Sequence, residues 1–214
     1  MGNMKHWKLI LVRHGDTGED FRHRYIGSLD IPLSIKGREQ VLALRKMFGN
    51  DLPELRLCSP LGRCLETAEI LLAGTPGGFK IDADLREIDF GKWENMTFNN
   101  ILASSPGDVA RWSSFDSHFS FPEGEAIRAF QARLRHFVEH LENSHVDSAL
   151  VITHGGVIRF LICQLLKLDP WQYILFEVKA ASATVINIYE GRGVLAGLNL
   201  TGEANPGILS PKFI

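Results

Sequence analysis

Two histidines in this sequence stand in the same local setting. "LILVRHGDTGED" runs an apolar stretch, Leu9 to Val12, into Arg13, His14 and Gly15, with the hydroxyl of Thr17 close behind. "LVITHGG" runs another apolar stretch into His154, Gly155 and Gly156. A glycine lets backbone N–H groups approach a ligand, and the start of a helix favours an anion. A third stretch, "CSPLGRCLETA", places Arg63 in the first turn of a helix. A cation there opposes the helix dipole unless an anion lies nearby. Arg13 and Arg63 can offer forked donors to phosphate oxygens. A neutral imidazole is a nucleophile, and a carboxyl nearby can serve as a general acid. "LREIDFGKWEN" supplies that carboxyl, but local sequence does not separate Glu87 from Asp89 or Glu94.

These groups act together only if strand ends are brought together. Strands and helices alternate along the chain, which predicts an α/β fold: a three-layer αβα sandwich around a mainly parallel sheet. Lys8 to Val12 reads as the first strand. In "LSIKGREQVLALRKMFG" Ser34 caps a helix, Val41, Leu44 and Phe48 recur at helical spacing, and Gly49 stops it. "LRLCSP" is a short strand, followed by a helix closing at Gly74. Residues 84–122 are irregular, and a lid-like helical insertion is expected over about 96–122. Ile127, Phe130, Leu134, Phe137, Val138 and Leu141 form one apolar helical stripe. "SALVIT" is a strand buried on both faces, and "SATVINIY" with "GVLAGLNL" forms a hairpin or sheet edge. In open parallel sheets ligands bind beyond the carboxyl ends of the strands, where His14 and His154 can face one pocket.

Composition narrows the function. The 214 residues are 45% hydrophobic and 22% charged, which suits one globular domain over 1–214. A net charge of −2 argues against nucleic acid as a partner, and no apolar run is long enough to span a membrane. Three cysteines, an odd number, fit buried thiols in a reducing compartment, so a cytoplasmic protein is expected. Cys58 precedes Arg63 by one residue too few for a cysteine phosphatase loop, and no HExxH zinc pattern occurs. His136 and His140 read as a solvated pair. His23, with Arg22, Arg24 and Arg86, reads as a cationic mouth. Trp93, Phe98, Trp112 and Phe115 read as core or lid packing, or as a stacking surface.

Five stretches in order, "LVRHGDT", "RYIGSLDIPLSIKGREQ", "CSPLGRCLETA", "LREIDFGKWEN" and "VITHGGVIR", resemble the histidine phosphatase superfamily, also called phosphoglycerate mutase-like. The resemblance runs from Leu9 to about Arg159. It implies a phosphoglycerate mutase-like fold, with His14 as the nucleophile that becomes phosphohistidine. Arg13, Arg63 and His154 then cradle the phosphoryl oxygens, and Glu87 protonates the leaving alkoxide and activates water. The implied substrate-binding set is Arg13, Arg63, Thr17, Gly27, Arg24 and Gly155. Neither a cofactor nor a metal is expected, since arginine and histidine carry the charge neutralisation.

The sequence departs from the family pattern at three places. Asp20 stands where Asn often holds phosphate, so it is expected to turn away, to pair with Arg22 or Arg24, or to be protonated. Ile26 precedes Gly27 where mutases carry a hydroxyl, and Asn95 replaces a common Gly. "FGKW" resembles the phosphatase branch. "RYIGSLDIPLS", "LREIDFGKWE" and "FPEGEA" resemble α-ribazole phosphatase-type enzymes of cobalamin biosynthesis. The expectation is a metal-independent phosphomonoesterase acting on a small phosphorylated metabolite, with α-ribazole 5′-phosphate as one candidate. A phosphoglycerate mutase, or a non-catalytic phosphate sensor on the same fold, is the alternative.

Overall fold

The computed structural model describes residues 6–48, 52–202 and 209. Its sheet contains β1 (His6–Arg13), β2 (Leu55–Cys58), β3 (Lys80–Ile81), β4 (Ser148–Thr153), β5 (Ala183–Tyr189) and β6 (Arg192–Leu200), in the order β3-β2-β4-β1-β5-β6. β3, β2, β4 and β1 are mutually parallel. β5 and β6 are antiparallel and close one edge as a hairpin. The helices are α1 (Ile35–Arg45), α2 (Gly62–Leu71), α3 (Phe98–Ser104), α4 (Pro106–Ser113), α5 (Ile127–Asn143) and α6 (Gly155–Leu165). Among the described residues, no helix is long and apolar enough to cross a membrane.

The two faces of the sheet bury separate cores, because successive strand side chains point to opposite faces. Leu9, Leu11, Ala149 and Val151 join Phe130, Leu134 and Phe137 of α5 with Val157 and Leu161 of α6. Ile10, Val12, Leu150 and Ile152 join Val41 and Leu44 of α1 with Ala68 and Leu71 of α2. β4 is buried at every position, as a strand covered on both faces must be.

Element ends follow the sequence signals with shifts at two helix ends: α1 stops at Arg45, and Lys46 to Phe48, expected in the helix, continue as tighter turns. The Ser34 hydroxyl accepts the Gly37 N–H at 3.0 Å, capping α1. The stop expected at Gly49 lies outside the described residues. α2 ends at Leu71, about a turn before Gly74, whose φ of 77° reverses the chain.

Residues 93–121 carry α3 and α4 as an excursion whose ends return to one place. The Lys92 N–H donates to Pro122 O at 2.8 Å, and the Glu125 N–H donates to Asp89 O at 2.9 Å. Gly91 permits this approach. Its φ is 53°, and a Cβ there would lie 2.5 Å from the Gly124 nitrogen.

Candidate active site

The strand register brings the two histidines together. Arg13 is paired with Thr153 across β1 and β4, and the His14 N–H donates to Thr153 O at 3.0 Å. The residues that follow, His14 and His154, leave adjacent strand ends. Their rings meet edge to face with centroids 5.2 Å apart. A cavity of about 760 Å³ opens beside them, and Arg13, His14, Thr17, Arg24, Arg63, Glu87 and Gly155 all line it.

His14 is held in one tautomer. Its Nδ1 lies 2.8 Å from Gly15 O, an acceptor only, so Nδ1 carries the proton and Nε2 keeps a lone pair. Burial, then the neighbouring Arg13 and Arg63 cations, hold the imidazole well below its ordinary pKa. It therefore stays neutral in the near-neutral range. Gly15 is needed for packing: a Cβ there would lie 2.6 Å from Gly37 O.

Arg63 is almost wholly buried, at 1% exposure. Its Nη1 donates to Leu29 O at 2.9 Å and its Nη2 to Gly27 O at 2.8 Å, so the chain around Gly27 fixes the guanidinium. Arg13 donates Nη1 to Val178 O at 2.6 Å, and its Nε is buried without an acceptor. An orphaned buried donor of this kind suits an anion from outside the chain.

Glu87 is separated from the other acids by geometry. The Ile88 N–H donates to Oε1 at 3.1 Å and the Gly156 N–H to Oε2 at 2.9 Å, which joins the carboxylate to the first turn of α6. Arg133 of α5 clamps the backbone behind it, donating to Asp84 O, Arg86 O and Glu87 O at 2.6, 2.7 and 3.1 Å. Its remaining donors grip both Glu125 oxygens at 2.8 and 2.9 Å. Glu94, by contrast, accepts the N–H groups of Gly27 at 3.1 and 3.0 Å and Ser28 at 2.8 Å, holding the Gly27 loop. Asp89 accepts from the Gly91 N–H at 2.8 Å.

Other expected site residues fall in different places. His154 has no exposure and lies behind the cavity wall, with Nε2 at 2.7 Å from Ser59 Oγ and 3.4 Å from Cys64 Sγ. Burial, then Arg63, His14 and Arg13, push its pKa well below the ordinary value. Gly27 is a support rather than part of the lining: a Cβ there would collide with Ile88 O and lie 2.6 Å from Glu94 Oε1. Asp20 is exposed and turned away from the lining, and its carbonyl accepts Arg24 Nε at 2.7 Å. Arg24 also donates to Asn95 O at 2.7 Å.

Of the four residues read as a cationic mouth, His23 and Arg24 line the cavity. Arg22 pairs with Glu19, and Arg86 faces Glu125. Trp93 is core, Phe98 and Trp112 line the cavity, and Phe115 packs against Trp171. His136 bonds Asp84 at 2.7 Å, and all three cysteines are buried and free.

Three contributors were not singled out in the sequence. Arg133 lies on the apolar face of α5, three residues after Phe130, and a charge on that face is its signal. Arg159 interrupts the apolar "VIRFLIC" run of α6 and lines the cavity. Tyr173, from a short 3-10 segment, has no comparable signal.

This chain belongs to the histidine phosphatase superfamily (branch 1), whose sequence profile matches residues 9–201. It is a phosphatase of that branch. Its relatives include phosphoserine phosphatase 1 of Hydrogenobacter thermophilus, 32% identical over 91% of this chain and 92% of that protein. Adenosylcobalamin/alpha-ribazole phosphatase of Escherichia coli is 29% identical over 90% and 95%. The crystal structure of the alpha-ribazole phosphatase from Shigella flexneri superposes with a TM-score of 0.82 at 28% identity, covering 90% of this chain and 96% of that one.

Proposed function

We propose that the protein hydrolyses the phosphomonoester of a small metabolite through a phosphohistidine on His14. The observation that carries this reading is the tautomer of His14. Nδ1–H is fixed on Gly15 O, so the Nε2 lone pair is the nucleophile, beside two buried guanidinium groups. In the first step Nε2 bonds to phosphorus as the ester P–O bond breaks. Arg13 and Arg63 stabilise charge on the equatorial oxygens, and Glu87 gives a proton to the leaving alkoxide. In the second step Glu87 takes a proton from water as the water attacks phosphorus. The His14 N–P bond breaks, and inorganic phosphate leaves. His154 braces the His14 ring from behind.

The cavity is far larger than a phosphoryl group, and Tyr25, Phe90, Phe98, Trp112, Phe121 and Tyr173 form much of its wall. Such a wall accepts a flat organic body, which is what supports α-ribazole 5′-phosphate as a substrate to test.

The test is hydrolysis of p-nitrophenyl phosphate, α-ribazole 5′-phosphate, phosphoserine and 3-phosphoglycerate in EDTA, wild type beside His14→Ala. Activity in EDTA that falls by a factor of roughly 10³ or more in the variant is expected. So is acid-labile phosphate on the wild-type chain. Undiminished turnover by folded His14→Ala refutes the mechanism.

A further inference from the structure

Arg13 takes its bearing from one short stretch of chain. The connection from the 3-10 segment Pro170–Leu175 to β5 passes beside the strand end that carries Arg13 and His14. Val178 O accepts Arg13 Nη1 at 2.6 Å, Ser182 O accepts the Arg13 N–H at 3.1 Å, and the Ala181 N–H donates to His14 O at 3.0 Å. Residues 176–182 form neither helix nor strand. Without a ladder of their own, their backbone groups depend on partners from other parts of the fold.

Asn199, near the end of β6, supplies them. Its Oδ1 accepts the Lys179 N–H at 2.7 Å and lies 3.3 Å from the Ser182 hydroxyl, while its Nδ2 donates to Glu177 O at 2.8 Å. The two backbone contacts fall on the residues either side of Val178, whose side chain is buried in the core. An N–H only donates and a carbonyl only accepts, so a single orientation of the amide satisfies both. An aspartate of the same shape would keep the acceptor and lose the donor. The Ser182 hydroxyl closes the turn from within, on Lys179 O at 2.6 Å. The backbone suits the residue too: Asn199 has φ of 56°, in the left-handed region that Asn enters more readily than most side chains.

We propose that Asn199 is a positioning residue for Arg13. By bracketing Val178 it aims the carbonyl that holds the Arg13 guanidinium toward the phosphoryl group. It does so from outside the cavity lining and from a strand that does not touch β1, since β5 lies between them. The inference takes the role of Arg13 from the function proposed above and adds what fixes that side chain in place. Arg63 is fixed by a separate route, through Leu29 O and Gly27 O. Loss of the Asn199 amide therefore loosens one of the two guanidinium groups and leaves the other as it is. A forked donor that swings loses its matched pair of contacts to phosphoryl oxygens.

The test is a double-mutant cycle read by binding of inorganic phosphate, followed by phosphorus NMR. Asn199→Gly is made in the wild-type chain and in Arg13→Met. Glycine accepts the positive φ and removes the amide. In the chain with Arg13, Asn199→Gly is expected to weaken phosphate roughly 10-fold. In Arg13→Met the same change is expected to cost less than about 2-fold, because the contact it served is already gone. Asn199→Asp, which keeps the contacts to Lys179 and Ser182, shifts binding in the same direction and supplies the cycle should the glycine chain not fold. Equal weakening in both backgrounds overturns the proposal, since Asn199 then acts on the fold at large. So does unchanged binding in the chain with Arg13. Absence of phosphate binding by the wild type overturns the anion site that both readings need. Failure of ester hydrolysis with the cycle intact bears on the proposed mechanism alone, because binding needs no turnover.

Discussion

A single methyl group at Gly156 tests whether Glu87 is the proton donor. A Cβ built there lies 2.5 Å from Glu87 Oε1 and 3.1 Å from Oε2, where ordinary contact begins near 3.4 Å. In Gly156→Ala the carboxylate must therefore retreat by nearly an ångström or rotate off the Gly156 N–H. A displacement of about 1 Å at a reacting group costs roughly 10²-fold in rate, and the whole contribution of a general acid is about 10²–10⁴-fold. The informative quantity is kcat/KM, which reports steps up to departure of the alcohol. For an alkyl phosphate, whose alkoxide needs a proton, it is expected to fall roughly 10²-fold. For p-nitrophenyl phosphate, whose phenolate leaves without one, it is expected to fall less than about 10-fold. The helix itself does not suffer: Gly156 is not at positive φ, and alanine in a helix gains about 0.5–1 kcal/mol of backbone entropy over glycine. Thermal unfolding measured in parallel should thus show no collapse of stability. If both esters lose activity equally, or the alkyl ester loses less than about 3-fold, the assignment of Glu87 as acid is wrong.

Three further outcomes follow from the site. The fold keeps His14 and His154 neutral, while both protonate near pH ~6.5 once unfolded, so their stability contribution is present above that pH and lost as pH falls. Each adds a slope approaching ~1.4 kcal/mol per pH unit below it, and His14→Ala should remove one such share in denaturant melts at pH 7.5 and 5.5; an unchanged slope contradicts this. Gly27→Ala drives a methyl into Ile88 O and toward Glu94, and should cost about 3 kcal/mol of stability and loosen Arg63; wild-type urea melts and wild-type KM would show the loop yields more easily than its packing indicates. Asp20→Asn should change KM for p-nitrophenyl phosphate by less than about 2-fold, since Asp20 is exposed and outside the lining; a large gain in affinity would place its carboxylate against the substrate.

The fold was legible because its sheet is simple in pattern. β4 reads as an unbroken apolar run, and β1 divides its side chains evenly between two cores, as Leu9 with Leu11 and Ile10 with Val12 show. His14, Arg13 and Arg63 were legible for the same reason: Arg13 ends β1, His14 directly follows it and Arg63 lies in the first turn of the helix after β2, so chain topology carries all three to the cavity. Glu87 was not separable from Asp89 and Glu94 without contacts, because three acids in one loop differ only in which N–H groups meet them. Gly27 lies behind the lining and makes room for Ile88 O, an environment that a glycine in a sequence does not reveal. Arg133 is marked as unusual by its charge on the apolar face of α5, but its partners in the Glu87 loop are set by long-range packing that no local pattern encodes.

The excursion carrying α3 and α4 leaves the body at Lys92 and comes back to it at Pro122, the two residues hydrogen-bonded to one another. Its entry is also tied to the body, through Glu94 on the Gly27 loop and the Asn95 N–H on Tyr25 O, and Arg133 anchors the Glu87 loop just upstream. The part beyond that entry, 98–121, can be lengthened at little cost in chain entropy, since the ends of the excursion already meet. Phe98, Trp112 and Phe121, which the excursion contributes to the cavity, can turn over between lineages while the phosphoryl machinery stays as it is. One scaffold can in this way diversify its substrates by replacing a cassette, without reinventing its chemistry.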